Sequence, residues 1–199
     1  MKGEKNKVSE KILKAVGGSA VLAKLLEGRG IDEEEVPVFL NPDLYRPTAP
    51  EEFPGMEKAV KIVRKAIEQG KKICIYGDYD VDGVTATALL LKTLKKLGAK
   101  VFYKVPDRFK EGYGMKEEVI SNLYEKGIEL IISCDCGIAN VKEIELAKEL
   151  GMEVVVTDHH TLPPALPKAD AVVNPHFLHE GHPARWLPGV GVAYFLAKG

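Results

Sequence analysis

The chain has 199 residues, of which 45% are hydrophobic and 29% charged, a balance typical of a soluble globular protein. Its 28 basic and 29 acidic side chains give a net charge of −1, which neither indicates nor excludes a nucleic-acid partner. No apolar run of about 18 residues predicts a membrane helix, and residues 1–7 lack the apolar core of a signal peptide. We therefore expect a cytoplasmic protein with no membrane partner.

The first quarter of the chain predicts short helices and irregular segments. Residues 8–26 predict one or two short helices, interrupted by a Gly-Gly pair. Residues 29–54 are rich in proline and acidic residues, which indicates an irregular segment with at most a short helix at 36–40. Apolar residues at helical spacing predict a longer helix over residues 56–69.

From residue 71 onward, short apolar strands alternate with helices that end at glycines. Strands are predicted at 72–76, 100–105, 130–134, 153–157 and 171–173, and helices at 84–97, 116–126, 141–150 and from about 191. This alternation predicts an α/β fold with a mostly parallel, Rossmann-like sheet covered by helices on both faces. We expect two domains, a helical and irregular N-terminal extension (1–54) and an α/β domain (55–199).

Carboxylates and histidines follow three of the predicted strands. Ligands of open parallel sheets bind where the carboxyl ends of the strands meet, so these side chains are expected to converge. They are Asp78, Asp80 and Asp82 after the first strand, Asp135 after the third, and Asp158, His159 and His160 after the fourth.

Five converging carboxylates would repel one another and favour their own protonation unless cations neutralised them. Oxygen ligands with one or two imidazoles suit Mn²⁺ or a similar divalent ion, with Mg²⁺ as the alternative. Several carboxylates able to bridge favour two ions, roughly 3.5–4 Å apart, an arrangement that serves phosphoryl chemistry. The sequence therefore predicts a two-ion site at this edge of the sheet.

Other interpretations of the same residues carry less weight. Asp135 alone is typical of a turn residue, and a lone His-His pair is more often a surface feature. The spacing from Asp78 resembles a calcium-binding loop, but Leu89 stands where such a loop needs glutamate. Cys134 and Cys136 invite a zinc interpretation, but the chain has no second cysteine pair to complete a structural site. The convergence of three clusters at one edge favours the metal site.

Longer strings narrow the family. YGDYDVDGVTA at 76–86, VPDRFKEGYGM at 105–115, DHH at 158–160 and GVGVA at 189–193 stand in this chain. Together they resemble the N-terminal catalytic domain of the RecJ-type single-stranded-DNA-specific exonucleases, within the DHH phosphoesterase superfamily. One stretch, GHPARWLP at 181–188, departs from the aromatic-rich approach to the glycine motif that the family tends to carry.

The resemblance implies roles for individual residues of the cluster. It implies that His160 contacts the scissile phosphate and that Asp158 orients its neighbouring histidine. Asp78 would be either a further metal ligand or a partner of the ligands. The implied metal ligands are Asp80, Asp82, Asp135 and His159.

The resemblance also assigns substrate contacts. Arg108 would contact a phosphate of the DNA, and the turn of Gly112, Tyr113 and Gly114 would shape the path of the strand. For Tyr113, stacking on a base and merely fixing the turn remain equal alternatives.

The activity implied by the resemblance is metal-dependent 5′→3′ hydrolysis of single-stranded DNA to 5′ mononucleotides, in repair and recombination. The implied partners are single-stranded DNA, a single-strand-binding protein and a helicase. RecJ proteins are longer and supply a further aspartate ligand and a substrate-binding domain, so we expect the chain alone to be inactive. The alternatives are a DHH hydrolase of short oligonucleotides or cyclic dinucleotides, and a RecJ-like scaffold without catalysis.

Overall fold

The structure, a computed structural model, describes residues 8–44 and 48–199, and the chain divides into two compact units, Met1–Pro47 and Thr48–Gly199. The described part of the smaller unit contains the helices α1 (Glu10–Ala15), α2 (Ala20–Gly28) and α3 (Val36–Leu40). Ser9 and Ser19 cap the first two helices by accepting backbone N–H groups. These helices confirm the predicted short helices. The domain boundary between residues 54 and 55 stays a prediction.

The larger unit alternates helices and strands, as the sequence predicts. In chain order they are α4 (Met56–Glu68), β1 (Lys72–Tyr76), α5 (Val81–Lys96), β2 (Lys100–Lys104), α6 (Glu117–Glu125), β3 (Leu130–Cys134), α7 (Val141–Glu149), β4 (Glu153–Thr157), β5 (Ala171–Val173) and α8 (Gly189–Lys198). The bounds of four strands agree with the sequence prediction, and β2 ends one residue earlier.

The five strands form one sheet in the order β2-β1-β3-β4-β5, and every neighbouring pair is parallel. The predicted α/β class with a parallel sheet is therefore confirmed. The order is the flavodoxin-like variant of the doubly wound fold rather than the Rossmann order. In this variant the chain reverses its direction of travel between β1 and β3, and that crevice is where ligands bind.

Helices cover both faces of the sheet. Successive strand residues point to opposite sides, so each strand contributes to two cores. Ile73 and Ile75 of β1 pack into one core with residues of α4, α5 and α8. Cys74 and Tyr76 pack into a second core with residues of α6 and α7. The two-sided burial explains why the strands are continuously apolar rather than alternating. Within the described ranges, no helix combines the length and apolar character that crossing a membrane requires.

Candidate metal centre

The predicted site residues lie at the carboxyl ends of three neighbouring strands. Asp78 follows the end of β1 by two residues, and Asp135 and Asp158 directly follow β3 and β4. Because β1 and β3 are adjacent in the sheet, Asp78 and Asp135 flank the crevice where the fold binds its ligands. The topology alone therefore brings separate sequence clusters to one edge.

Asp78 is a buried carboxylate whose charge is poorly compensated. Its side chain belongs to a residue that is 3% exposed, and among the described residues its Oδ1 has no hydrogen-bond partner. Burial raises the pKa of Asp78, and the negative charge of Asp80 raises it further. A buried acceptor without a partner costs about 1–3 kcal/mol. Such an oxygen is suited to a cation.

Asp80 begins α5. Its Oδ1 accepts a hydrogen bond from the backbone N of Gly83 at 3.0 Å, which makes it the helix N-cap. The helix therefore starts at Val81. The predicted start is three residues later, because the sequence pattern places the capping aspartate in a loop. A Cβ on Gly83 would lie 2.6 Å from the backbone N of Asp78. The glycine thus allows the helix to approach the loop that carries both carboxylates.

Asp135 holds an unusual backbone conformation. Among the described residues it is the only non-glycine residue with a positive φ, 61°. This is a left-handed conformation that aspartate tolerates. It is 2% exposed, and its Oδ1 lies 3.1 Å from Nε2 of His159 but accepts no well-aligned hydrogen bond within the described chain. Burial raises the pKa of Asp135, while His159 opposes the increase. Strained residues of this kind concentrate at functional sites.

Asp82 joins α5 to α8. Its Oδ2 accepts the backbone N–H of Gly189 and its Oδ1 that of Val190, each at 2.7 Å. A carboxylate at a helix N-terminus is stabilised by the exposed N–H groups and the helix dipole. Nε2 of His159 lies 3.5 Å from Asp82 Oδ2. Asp82 therefore anchors α8 at the site while keeping one edge toward the histidine.

Asp158 is fully buried and fully hydrogen-bonded. Its Oδ2 accepts from the backbone N of Ile138 at 2.9 Å, and its Oδ1 from the backbone N of His159 at 2.7 Å and of His160 at 3.2 Å. Oδ1 also lies 2.7 Å from Nδ1 of His160. Burial raises the pKa of Asp158, but the bonds from His160 and Ile138 outweigh it, so the net pKa falls. This geometry agrees with the predicted orienting role.

The two histidines of the DHH motif have different neighbours. Nε2 of His159 is near Asp135, whose carboxylate raises the pKa of His159. Nδ1 of His160 is bonded to Asp158, which raises the pKa of His160. An Nδ1 proton donated to Asp158 leaves Nε2 of His160 for another partner. The rings lie 4.7 Å apart, so both can serve one site.

Tyr113 contacts the second histidine. Its hydroxyl lies 3.2 Å from Nδ1 of His160 and 3.5 Å from the carbonyl oxygen of Asp135. Gly112 and Gly114 flank it with φ of 69° and 79°, left-handed conformations that glycine adopts without strain. The sequence left Tyr113 between base stacking and fixing the turn. The structure adds a contact with the DHH motif that neither alternative included.

Two overlapping sets of side chains can each offer ligand atoms within 4.8 Å of one another. They are Asp135, His159 and His160, and Asp78, Asp80 and Asp135. Asp135 belongs to both sets, the arrangement expected of a carboxylate that bridges two ions. Asp82 lies beside the first set, because its Oδ2 is 3.5 Å from Nε2 of His159.

Arg108 contacts a residue of the loop that carries the clustered aspartates. It is exposed, and its guanidinium lies 5.4 Å above the ring of Tyr79, a cation–π contact. The predicted phosphate contact of Arg108 stays a prediction. Tyr79 itself stands between two of the clustered aspartates, so the arginine contacts the loop that carries them.

Sequence reasoning missed residues that support the site through backbone and amide groups. The N–H groups of Gly189 and Val190 hold Asp82. Nδ2 of Asn174, a fully buried residue, donates to the carbonyl oxygen of His160 at 2.9 Å. The signal for Asn174 was its position directly after β5. For the amides no side-chain signal exists, because they act through the main chain.

Comparison with known proteins identifies the family. The DHH family, N-terminal domain, matches residues 72–198. The single-stranded-DNA-specific exonuclease RecJ of Bacillus subtilis is 47% identical over 181 residues, which cover 89% of this chain and 23% of that protein. The chain thus spans about a quarter of the length of this curated relative.

Solved structures agree with the sequence match. Exonuclease RecJ bound to manganese superposes with a TM-score of 0.69 at 38% identity, over 76% of this chain and 38% of that one. RecJ from Thermus thermophilus in complex with Mn²⁺ gives a TM-score of 0.74 at 31% identity, over 94% of this chain and 26% of that one. The resemblance read from the motifs is confirmed, and the chain belongs to the DHH family, with RecJ exonucleases among its relatives.

Proposed function

We propose that this chain carries the N-terminal catalytic domain of a metal-dependent exonuclease that hydrolyses single-stranded DNA from its 5′ end and releases 5′ mononucleotides. The observation that carries the proposal is the pair of buried carboxylate oxygens, Asp78 Oδ1 and Asp135 Oδ1, which lack well-aligned hydrogen bonds within the described chain and flank the crevice between β1 and β3. The names of the relatives favour single-stranded DNA over dinucleotides as the substrate.

Two Mn²⁺ ions are the proposed cofactors, with Mg²⁺ as the alternative, since related RecJ structures hold one or the other. The donor set fits such ions, because it combines carboxylates with imidazole. When bound, the ions supply an activated water and neutralise the charge of the phosphate. The proposed ligands are Asp80, Asp82, Asp135 and His159, with Asp78 as a further ligand.

His160 is proposed to donate a hydrogen bond to the scissile phosphate. Asp158 accepts from Nδ1 and fixes the ring, so that Nε2 is the nitrogen available to substrate. Asp158 raises the pKa of His160, and in the ring that carries both protons Nε2 is a donor. Tyr113 holds the same ring from the side of the glycine turn.

The strand is proposed to cross the loop of residues 107–114. Within it, Arg108 would meet a phosphate, and Gly112 and Gly114 would shape the turn beneath the strand. Asp107 accepts backbone N–H groups of Phe109 and Lys110, at 2.9 and 3.2 Å, which stiffens the tip. A single-strand-binding protein and a helicase stay the predicted protein partners, and the cytoplasmic location stays a prediction.

The test is calorimetric titration of Mn²⁺ into the chain and into Asp80→Ala, with Asp43→Ala as the control that removes an exposed aspartate of the smaller unit. We expect binding by the wild type and the control, and its loss in Asp80→Ala. Because the chain alone is expected to be inactive, the same proteins are then joined to the downstream part of a RecJ relative, and this extended chain is given 5′-labelled single-stranded DNA with Mn²⁺. Release of labelled mononucleotide, lost in Asp80→Ala, is the expected result. A folded wild type that binds no Mn²⁺ contradicts the metal site, and a labelled product longer than one nucleotide contradicts exonuclease action.

A further inference from the structure

Trp186 lies in a loop to which the proposed function assigns no role. It is the single tryptophan of the chain and is 77% exposed. It lies in the stretch 181–188. An isolated exposed apolar side chain is ordinary, so its meaning depends on how its backbone is held and what lies beside it.

The backbone of this loop is held firmly. Trp186 ends a 3-10 helix, Pro183–Trp186, whose start is capped by Nδ1 of His182 accepting the N–H of Ala184 at 3.1 Å. The guanidinium of Arg185 donates to the carbonyl oxygens of His176, at 2.9 Å, and of Leu178. These bonds fasten two successive turns together. The exposed indole therefore projects from a loop that is already ordered, so little freedom is lost when it binds a partner.

The same loop is connected to the candidate metal centre through Gly189 and through His176. Three residues after Trp186 comes Gly189, whose N–H is bonded to Asp82, so the extended chain between them spans about 10 Å at most. The ring of His176 meets the indole edge-on, with centroids 5.7 Å apart and an interplanar angle of 89°. His176 in turn follows Asn174, whose amide accepts the N–H of His176 and donates to His160.

We propose that Trp186 is a stacking platform for one nucleobase of the single strand whose phosphate reaches the metal centre, and that the edge-on contact with His176 sets the orientation of the indole. The proposal rests on the proposed function and adds to it a base contact on the β5–α8 side of the site. An indole face accepts any of the bases, so the platform contributes affinity without sequence preference.

The size of the effect follows from the chemistry of stacking. Removing an aromatic side chain that stacks on a base weakens binding by about 5- to 100-fold. Phenylalanine keeps a stacking face, so Trp186→Phe should retain most of the affinity. Tyr194 is the matched control, because it is also an exposed aromatic, 49% exposed, on α8. Tyr194→Ala should bind as the wild type does.

The experiment measures binding of a short thymidine oligonucleotide with hydrolysis-resistant phosphorothioate linkages, in Mg²⁺, beside an oligomer of abasic sites with the same backbone. Since Trp186 is the single tryptophan, quenching of its fluorescence reports contact directly. We expect quenching by the thymidine strand and not by the abasic one. Fluorescence anisotropy of the labelled strand should show the loss in Trp186→Ala, and circular dichroism should show an unchanged fold.

The outcomes separate this inference from the proposed function. If Trp186→Ala binds the thymidine strand as tightly as the wild type, or if the wild type binds neither strand, the platform does not exist. Mn²⁺-dependent hydrolysis of ordinary single-stranded DNA, measured on the wild-type extended chain, tests the function alone. Hydrolysis with binding that ignores Trp186 overturns only this inference. Binding that depends on Trp186 without hydrolysis overturns only the function.

Discussion

Replacing Asp78 by asparagine is expected to stabilise the metal-free protein. Asp78 is buried, its Oδ1 accepts no hydrogen bond within the described chain, and Asp80 adds a second negative charge nearby. Asparagine keeps the shape and removes the charge. Because the amide retains one carbonyl oxygen, we expect a gain of about 1 kcal/mol in the free energy of unfolding, the low end of the cost of a buried unpaired acceptor.

The gain should depend on pH in a defined direction. The pKa of Asp78 is raised in the folded state from its ordinary value of 3.8, so the folded chain binds this proton more tightly than the unfolded chain does. The carboxylate therefore costs nothing below pH 3.8, and its cost grows as the pH rises to the folded-state pKa and is full above it. The advantage of Asp78→Asn should appear over the same interval and stay constant above the folded-state pKa.

Mn²⁺ should reverse the order of the two proteins. A ligand that binds only the folded state stabilises it by about 2.7 kcal/mol at a free concentration of 100 times its Kd. If Asp78 is a ligand, the wild type gains this stabilisation and Asp78→Asn gains much less. The asparagine variant should therefore be the more stable protein in chelator and the less stable one in Mn²⁺.

Urea denaturation followed by circular dichroism, with chelator or with Mn²⁺, measures both effects. The matched control is Asp158→Asn, the same change in a carboxylate whose oxygens are all hydrogen-bonded. There the amide must turn an N–H toward an N–H donor, and we expect a loss of about 1–3 kcal/mol without metal. A loss of stability in metal-free Asp78→Asn, or equal stabilisation of it by Mn²⁺, would refute the reasoning.

Two further substitutions test the packing of the site. Gly189→Ala would place a Cβ 2.6 Å from Oδ1 of Asp135, so we expect at least about tenfold weaker Mn²⁺ binding by calorimetry. The control Gly191→Ala, whose Cβ meets only neighbouring side chains, should bind Mn²⁺ normally. Equal Mn²⁺ binding by the two variants contradicts the argument. Tyr113→Phe removes the hydroxyl beside Nδ1 of His160. Because the Nδ1 proton is donated to Asp158, the hydroxyl accepts only a shared hydrogen bond, and we expect kcat of the extended chain for single-stranded DNA to fall about two- to fivefold, with Mn²⁺ binding retained; an unchanged kcat would exclude this role.

The sheet could be predicted because its strands are short apolar runs between glycine-ended helices. For β1, β3, β4 and β5 the predicted bounds match the structure, since burial on both faces keeps these strands continuously apolar. The positions of the site residues followed directly from the strand ends. The start of α5 was predicted three residues late, because Asp80 has two roles, as a site carboxylate and as the helix cap, and a sequence pattern shows only one of them.

Contacts between distant segments could not be predicted, because they depend on how helices seat on the sheet. The bonds from the amides of Gly189 and Val190 to Asp82 join residues more than a hundred positions apart. The contact of Tyr113 with His160 depends on the path of a turn flanked by two left-handed glycines. Neither has a periodic signal, since the first is made by main-chain amides at the start of a helix and the second by a single residue of a turn.

The hydrogen bonds divide four of the clustered carboxylates into two kinds, those paired with backbone N–H groups through both oxygens and those that keep an unpaired oxygen. Asp82 and Asp158 accept backbone N–H groups through both oxygens, so their negative charge is compensated by the fold itself. Asp78 and Asp135 are both buried, yet each keeps an oxygen without a well-aligned donor within the described chain.

A fold that needed these carboxylates only for stability would pair them, because an unpaired buried acceptor is costly and an apolar replacement is not. The two carboxylates that keep an oxygen without a well-aligned donor follow the strands that flank the ligand crevice, β1 and β3, whereas Asp82 and Asp158 connect α8 and the loop after β3 to that crevice. This distribution supports the proposed orienting role of Asp158 and the proposed role of Asp82 as a ligand that also anchors α8. Asp78 and Asp135, each with a buried oxygen that lacks a well-aligned donor within the described chain, fit the proposed role of metal ligands.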